Sequence, residues 1–156
     1  MKMSTKGRYA VMAMIDIATH SDGEPVSLAE IAERQDISQE YLEQLFRKLR
    51  KQKLVESARG PGGGYRLARD MKLIPVAEII AAVDEELHFT RCNGDAVEGC
   101  VKGERCNAHD LWSSLGRQMM YFLSSISLED VVEKRNLALA ATIKQTKERH
   151  PEGQTA

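Results

Sequence analysis

Several things are scarce in this chain, and each shortage excludes a class of protein. No apolar run approaches the roughly 18 residues that a helix needs to cross a bilayer. The opening MKMSTKGRY lacks the apolar core of a secretory signal, so a soluble, cytoplasmic protein is expected. Neither GxxxxGK(S/T) nor a strand-loop-helix GxGxxG is present, which leaves no recognisable loop for cradling nucleotide phosphates. Charge of one sign does not dominate either, since the formal net charge is −1. Cysteine is limited to three residues, an odd number that makes a poor disulfide framework. In a reducing compartment, thiols gathered in one segment point instead to metal ligation or redox chemistry.

What is present is enough for one core and an appendage: 156 residues, 42% of them hydrophobic. The charge is unevenly spread. Residues 47 to 72 hold nine Lys or Arg against only Glu56 and Asp70, a local excess of +7, and the rest of the chain is correspondingly acidic. Such an excess fits either a solvated face or a surface that sits on phosphates.

Patterning gives the order of elements. YAVMAMIDIA, from Tyr9 to Ala18, reads as a helix buried on most sides. After the turn SDGEP, Ser27 and Glu30 have the spacing of a capping box, opening a second helix through about Arg34. Ser38 caps a third, running to about Lys53, in which Leu42, Leu45, Phe46 and Leu49 recur at i, i+3, i+4, i+7. Gln39, Glu40, Glu43, Gln44, Arg47 and Lys48 are left on exposed faces. Two strands follow, at residues 54–58 and 65–68, joined by Arg59-Gly60-Pro61-Gly62-Gly63-Gly64. Glycine there removes bulk and lets backbone approach another surface closely. Three helices and a basic hairpin are the order of a winged helix-turn-helix, in which the third helix enters the major groove and the wing touches the backbone or minor groove. That order predicts a mainly α protein that binds a double-stranded DNA operator. Gln44, with Ser38 or Gln39, would meet base edges; Arg47, Lys48 and Lys51 would bind phosphates, and Arg59 would reach the minor groove. Glu40, Tyr41, Glu43, Gly60, Pro61, Gly62, Gly63 and Tyr65 complete the expected interface. Glu43 admits two readings, a solvated helix charge or a residue that rejects operators lacking a cytosine amino group.

Beyond the hairpin, Pro75 starts another helix with Val76, Ile79, Ile80 and Val83 on one face. Asn107 with Asp110 marks a further helix start, followed by the apolar stripe Leu111, Trp112, Leu115, Met119, Phe122 and Leu123. Ser127 with Asp130 opens a last helix carrying Leu128, Val131, Val132, Leu139 and Ile143. These helices either dimerise or cover the domain's own core. The tail from Lys147 is too polar to pack.

Between the two groups of helices lies RCNGDAVEGCVKGERCNAH, which contains Cys92, Cys100, Cys106 and His109 at C-x7-C-x5-C-x2-H. Thiolate sulfur selects zinc, copper(I) or iron-sulfur clusters, and an imidazole can complete a set of four donors. The close cysteine knuckle usual for structural zinc is missing, and the wide spacing suits a cluster of several iron atoms better than one zinc ion. His88 is a competing donor. A catalytic Cys-His pair has no evident oxyanion hole beside it, so no catalytic residues are expected and the chain is not read as an enzyme.

MSTKGRYAVMAM at the start, ISQEYLEQLFRKLRKQKLV, RGPGGGYRLA and the set Cys92, Cys100, Cys106 and His109 together resemble the IscR-like family of iron-sulfur cluster regulators, small bacterial winged-helix transcription factors. The resemblance covers residues 1 to 135. It implies a homodimer with one 2Fe-2S cluster per subunit, held by those four residues, that represses or activates iron-sulfur assembly genes and receives its cluster from assembly proteins. Relatives that sense nitric oxide or iron through 4Fe-4S clusters are the nearest alternative. A zinc-dependent repressor and an iron-sulfur carrier or redox protein are the others. The gap before Cys100 is longer than the family's usual one, and Glu40 stands where the family commonly has a small hydroxyl residue, which implies a different preferred operator. The expected organisation is a DNA-binding domain with linker helix at 1–84, a cluster loop at 85–109, dimerisation helices at 110–146 and a tail at 147–156.

Overall fold

The fold is taken from a computed structural model, described here for residues 5–83, 106–135 and 137. Among these residues the helices are α1 (Thr5–His20), α2 (Leu28–Gln35), α3 (Gln39–Lys51), α4 (Val76–Ala82), α5 (His109–Ser125) and α6 (Leu128–Val132). An antiparallel hairpin of β1 (Val55–Ala58) and β2 (Gly64–Leu67) follows α3, and a 3-10 turn spans Met71–Leu73. No helix among the described residues is long and apolar enough to cross a membrane.

The apolar run at the start of the chain forms the centre of α1, which places Ala10, Ala13, Met14 and Ile17 in the core. The helix extends past the run at both ends through exposed Thr5, Lys6, Thr19 and His20. These residues carry no apolar period, so periodicity alone could not show them to be helical. Asp16 is the exception on the buried face, at 1% exposure. A buried carboxylate needs partners. Arg34 Nε donates to both of its oxygens at 3.2 and 3.1 Å, Arg34 Nη2 at 2.7 Å and Gln35 Nε2 at 2.8 Å, which ties α1 to the end of α2. Burial pushes the Asp16 carboxyl up, but the hydrogen bonds from Arg34 and Gln35 and the guanidinium charge outweigh it and hold it below its ordinary value.

The expected capping box closes as a reciprocal pair. The Glu30 backbone N–H donates to Ser27 Oγ at 3.3 Å, and the Ser27 N–H donates to Glu30 Oε2 at 2.9 Å. α2 ends at Asp36, which adopts a left-handed φ of 52° and lets the chain turn sharply into α3. Ser38 caps α3 by accepting from the Tyr41 N–H at 3.3 Å. Leu42, Leu45, Phe46 and Leu49 from α3 meet Met14 and Ile17 of α1, Ile31 of α2 and Leu54 in one core.

The hairpin pairs Val55 with Leu67 and Ala58 with Gly64. A third extended segment joins it, since Val26 and Tyr65 exchange backbone hydrogen bonds of 2.8 Å each. This approach explains the glycine at 64: a Cβ there would run into the Val26 carbonyl. At the tip, Gly60 and Gly62 hold φ of 105° and 74°, a region costly for other residues.

Pro75 is the N-cap of α4, and the segment around it pairs with the chain entering α6. Val76 N–H donates to Ile126 O at 2.9 Å and Leu128 N–H to Ile74 O at 2.8 Å. A smaller apolar cluster of Val76, Ile80 and Ile126, with Leu123 and Val131 against it, seals this junction. α6 begins with the second expected capping box, Ser127 with Asp130. Its buried acids are neutralised by Arg135, 3.0 Å from both Glu129 and Asp130, and by Lys72, 3.5 Å from Glu129. One helix start departs from expectation. α5 is not capped by Asn107; its N-cap is Ala108, without a side-chain hydrogen bond, because the turn in which His109 N–H donates to Cys106 O at 3.0 Å sets the start two positions along from Cys106. The single helix expected from Ser127 through Ile143 is not continuous: α6 stops at Val132, and Lys134 takes a left-handed φ of 51° that breaks the helical path. Leu139 and Ile143 lie outside the described residues.

Candidate nucleic-acid interface

α3 has two faces of different chemistry. With its four apolar residues buried, Glu40, Gln44, Arg47 and Lys51 form an exposed stripe at i, i+4, i+7 and i+11, and Ser38, Gln39 and Glu43 are exposed beside it. Basic residues in its last turn, Lys48, Arg50 and Lys51, complement the negative end of the helix dipole. Gln39 Nε2 donates to Glu43 Oε1 at 3.4 Å. The hairpin tip presents Arg59, Gly60, Pro61 and Gly62 to solvent, with Gly63 half-buried behind them.

Three residues expected in the interface also have work inside the fold. Tyr41 is half-buried and meets Tyr9 edge-on, ring centres 5.9 Å apart. Tyr65 packs its ring on Phe46, ring centres 4.7 Å apart, so the hairpin is seated directly on α3. Lys48 is half-buried, with Nζ donating to Val83 O at 3.4 Å, at the C-terminal end of α4. Arg50 and Lys53 are exposed cations that the expected set left out, although both lie within the basic stretch; they line a cleft with Glu56, Ser57, Arg69 and Glu78 rather than the stripe. Arg66 is exposed but pairs across the hairpin with Glu56 at 3.4 Å. The Asp16–Arg34 tie was also missed; a lone acid inside YAVMAMIDIA was its only sequence signal.

Of the expected cluster donors, Cys106 and His109 lie within the described residues; Cys92 and Cys100 lie outside them. Cys106 is half-buried with a free thiol, and His109, the first residue of α5, is 2% exposed. The Cys106–His109 backbone hydrogen bond closes one turn around both. A thiol and an imidazole three residues apart at a helix start fit half of a four-donor set for a soft metal or cluster.

A tri-helical core with its third helix exposed along a polar and basic stripe, and a glycine-tipped wing packed against that helix, defines a winged helix-turn-helix DNA-binding protein. A family model described as Rrf2, iron-dependent transcriptional regulator, matches residues 3–134, and the chain belongs to this family. The transcriptional regulator IscR of Xenorhabdus nematophila is 53% identical over 154 residues, covering 98% of this chain and 93% of that protein. IscR of Serratia proteamaculans is 50% identical over 141 residues, covering 90% and 85%. Among solved structures, T. potens IscR superposes with a TM-score of 0.69 at 40% identity, over 88% of this chain and 90% of that one. CymR, the global cysteine regulator of B. subtilis, gives 0.73 at 32% identity, over 87% and 99%. The chain is a DNA-binding transcriptional regulator, a class that works by binding rather than catalysis.

Proposed function

We propose that this regulator reads iron-sulfur supply in the cytoplasm through a 2Fe-2S cluster held by Cys92, Cys100, Cys106 and His109. It acts, mainly as a repressor, on genes of cluster biogenesis or iron homeostasis. The observation that carries this reading is the turn that sets Cys106 and His109 together at the start of α5. Bound there, a cluster would supply a centre whose assembly, redox state or loss reports cellular iron and sulfur, with assembly proteins as its donors. The residues' part is to tie that centre to DNA. Residues 1–84 form the reading domain, 85–109 the sensing loop, 110–146 the dimerisation helices and 147–156 the tail.

The loop's two described ends attach to different machinery. Val83 accepts from Lys48 of α3, and Cys106 leads into α5. α5 exposes Leu111, Trp112, Leu115 and Phe122 along one side, an apolar face whose occupant in this reading is α5 of a second copy. A homodimer places two copies of α3 on the two halves of a palindromic operator. A change in the loop then biases the pair between operator-binding states, by about 1 to 3 kcal/mol in typical coupled systems.

Protein purified without air is expected to hold about two iron and two acid-labile sulfide per chain, to absorb in the visible and to lose both on Cys106→Ala or His109→Ala. Zinc in place of iron, or colourless protein after reconstitution, would discard the cluster reading. Four iron per chain would replace it with the 4Fe-4S form. Salt-sensitive, sequence-selective DNA binding separates a regulator from a carrier, which should show neither.

A further inference from the structure

We infer that Glu40 is a base-reading residue whose carboxylate selects operators presenting a cytosine amino group opposite the first turn of α3. This rests on the assignment of α3 as the groove helix and specifies what that helix reads. At about 100° per residue, Glu40 lies roughly 160° round the helix from buried Leu42, almost opposite the core, while Glu43 lies roughly 100° round, on the flank. Glu40 is exposed and leads the stripe continued by Gln44, Arg47 and Lys51. Residues near the start of a groove helix are the ones that reach base edges.

The two carboxylates are also differently engaged. Glu43 accepts from Gln39 Nε2, whereas Glu40 makes no hydrogen bond or ion pair among the described residues, so its acceptor oxygens are available. The turn that carries it is held in place by the Ser38 cap and by the Tyr41 ring against Tyr9.

A carboxylate brought beside DNA meets phosphate repulsion and loses water. Base edges in the major groove offer relief through an amino donor, and cytosine N4 is the donor that glutamate characteristically accepts. The four-residue sequence of carboxylate, amide and two cations along the stripe therefore divides the work: Glu40 and Gln44 read, Arg47 and Lys51 hold phosphates. The competing account is that an acid in the first turn merely complements the helix dipole.

Selection from a pool of randomised duplexes, followed by binding measurements on single-base variants, tests the inference with full-length wild type, Glu40→Ala and Glu40→Gln. Wild type is expected to select cytosine at one position in each half-site and to lose affinity about tenfold when thymine replaces it. Glu40→Ala should bind the two variants equally. Glu40→Gln should move the preference to adenine, whose N6 and N7 suit a side-chain amide. Thermal unfolding of the same proteins reads the dipole effect separately. Variants that melt lower yet keep the wild-type preference at every position would overturn the inference and leave a purely helical role. If wild type itself selected no sequence, the assignment of α3 as the groove helix would fall, and Glu40 with it.

Discussion

α3 and α5 are written in the same amphipathic code and end in opposite environments. The apolar residues of α3 are buried, with Leu42, Phe46 and Leu49 at 0% exposure, whereas Leu111 and Trp112 of α5 are 63% and 46% exposed in the single chain. Periodicity of 3.6 announces that a helix has an apolar face; it does not announce what covers that face. α3 finds its cover in α1, α2 and the strand leaving it, so its polar face is rigidly aimed outward. Among the described residues, α5 packs toward α4 through Leu123, with Met119 half-buried, while Leu111, Trp112, Leu115 and Phe122 stay exposed, in the proposed reading toward a second copy. One helix converts hydrophobic burial into aim; the other, in the proposed reading, turns an uncovered apolar face into assembly.

The sharpest way to break the comparison is to cut each face. Phe46→Ala should cost about 3 to 5 kcal/mol of folding stability and loosen the wing that Tyr65 seats on it, read as a lower urea midpoint and lost operator binding. Trp112→Ser should leave the unfolding of the separated chain nearly unmoved while weakening self-association; an equal loss of stability in both variants would show α5 to be core. Next in size is Arg34→Leu, which leaves the Asp16 carboxylate buried without its main partner. About 2 to 3 kcal/mol is expected, toward the low end for a broken buried pair because the Arg34 side chain is 31% exposed.

The same pair has a pH signature. The folded Asp16 carboxyl titrates below its unfolded range, so its contribution is complete above about pH 4 and is lost as pH falls through the lower folded value. Urea midpoints taken from neutral pH downward should fall less steeply in Asp16→Asn than in wild type. Parallel curves would mean that Asp16 plays no part in acid unfolding. The smallest effect is Ser27→Ala, about 1 kcal/mol through the α2 cap, with operator affinity changed only as far as α2 supports α3.

Local features were the legible ones. Ser27 with Glu30, Ser38, and Ser127 with Asp130 announce helix starts because a cap is complete within four residues, and the glycine tip of the wing is likewise local. Long-range ties were not legible. Asp16 meets Arg34 across 18 positions, Val26 pairs with Tyr65, and Lys72 reaches Glu129 only after the chain returns to the 3-10 turn. Nothing in the spacing of such residues marks them as neighbours. The candidate interface followed the same division. Which residues α3 exposes could be read from its period, while the inward duties of Tyr41, Lys48 and Tyr65 depend on α1, α4 and Phe46. At the cysteine segment the chemistry of the donors was visible in the sequence, and the structure adds the turn that joins Cys106 to His109.

Solution mass tests most directly whether α5 turns outward toward a partner. Sedimentation equilibrium of wild type should give twice the 17.5 kDa of one chain, and Leu111→Ser with Trp112→Ser should return it toward a single chain without unfolding it. A wild-type protein that stays at 17.5 kDa at micromolar concentration, yet still binds a palindromic operator, would contradict the account.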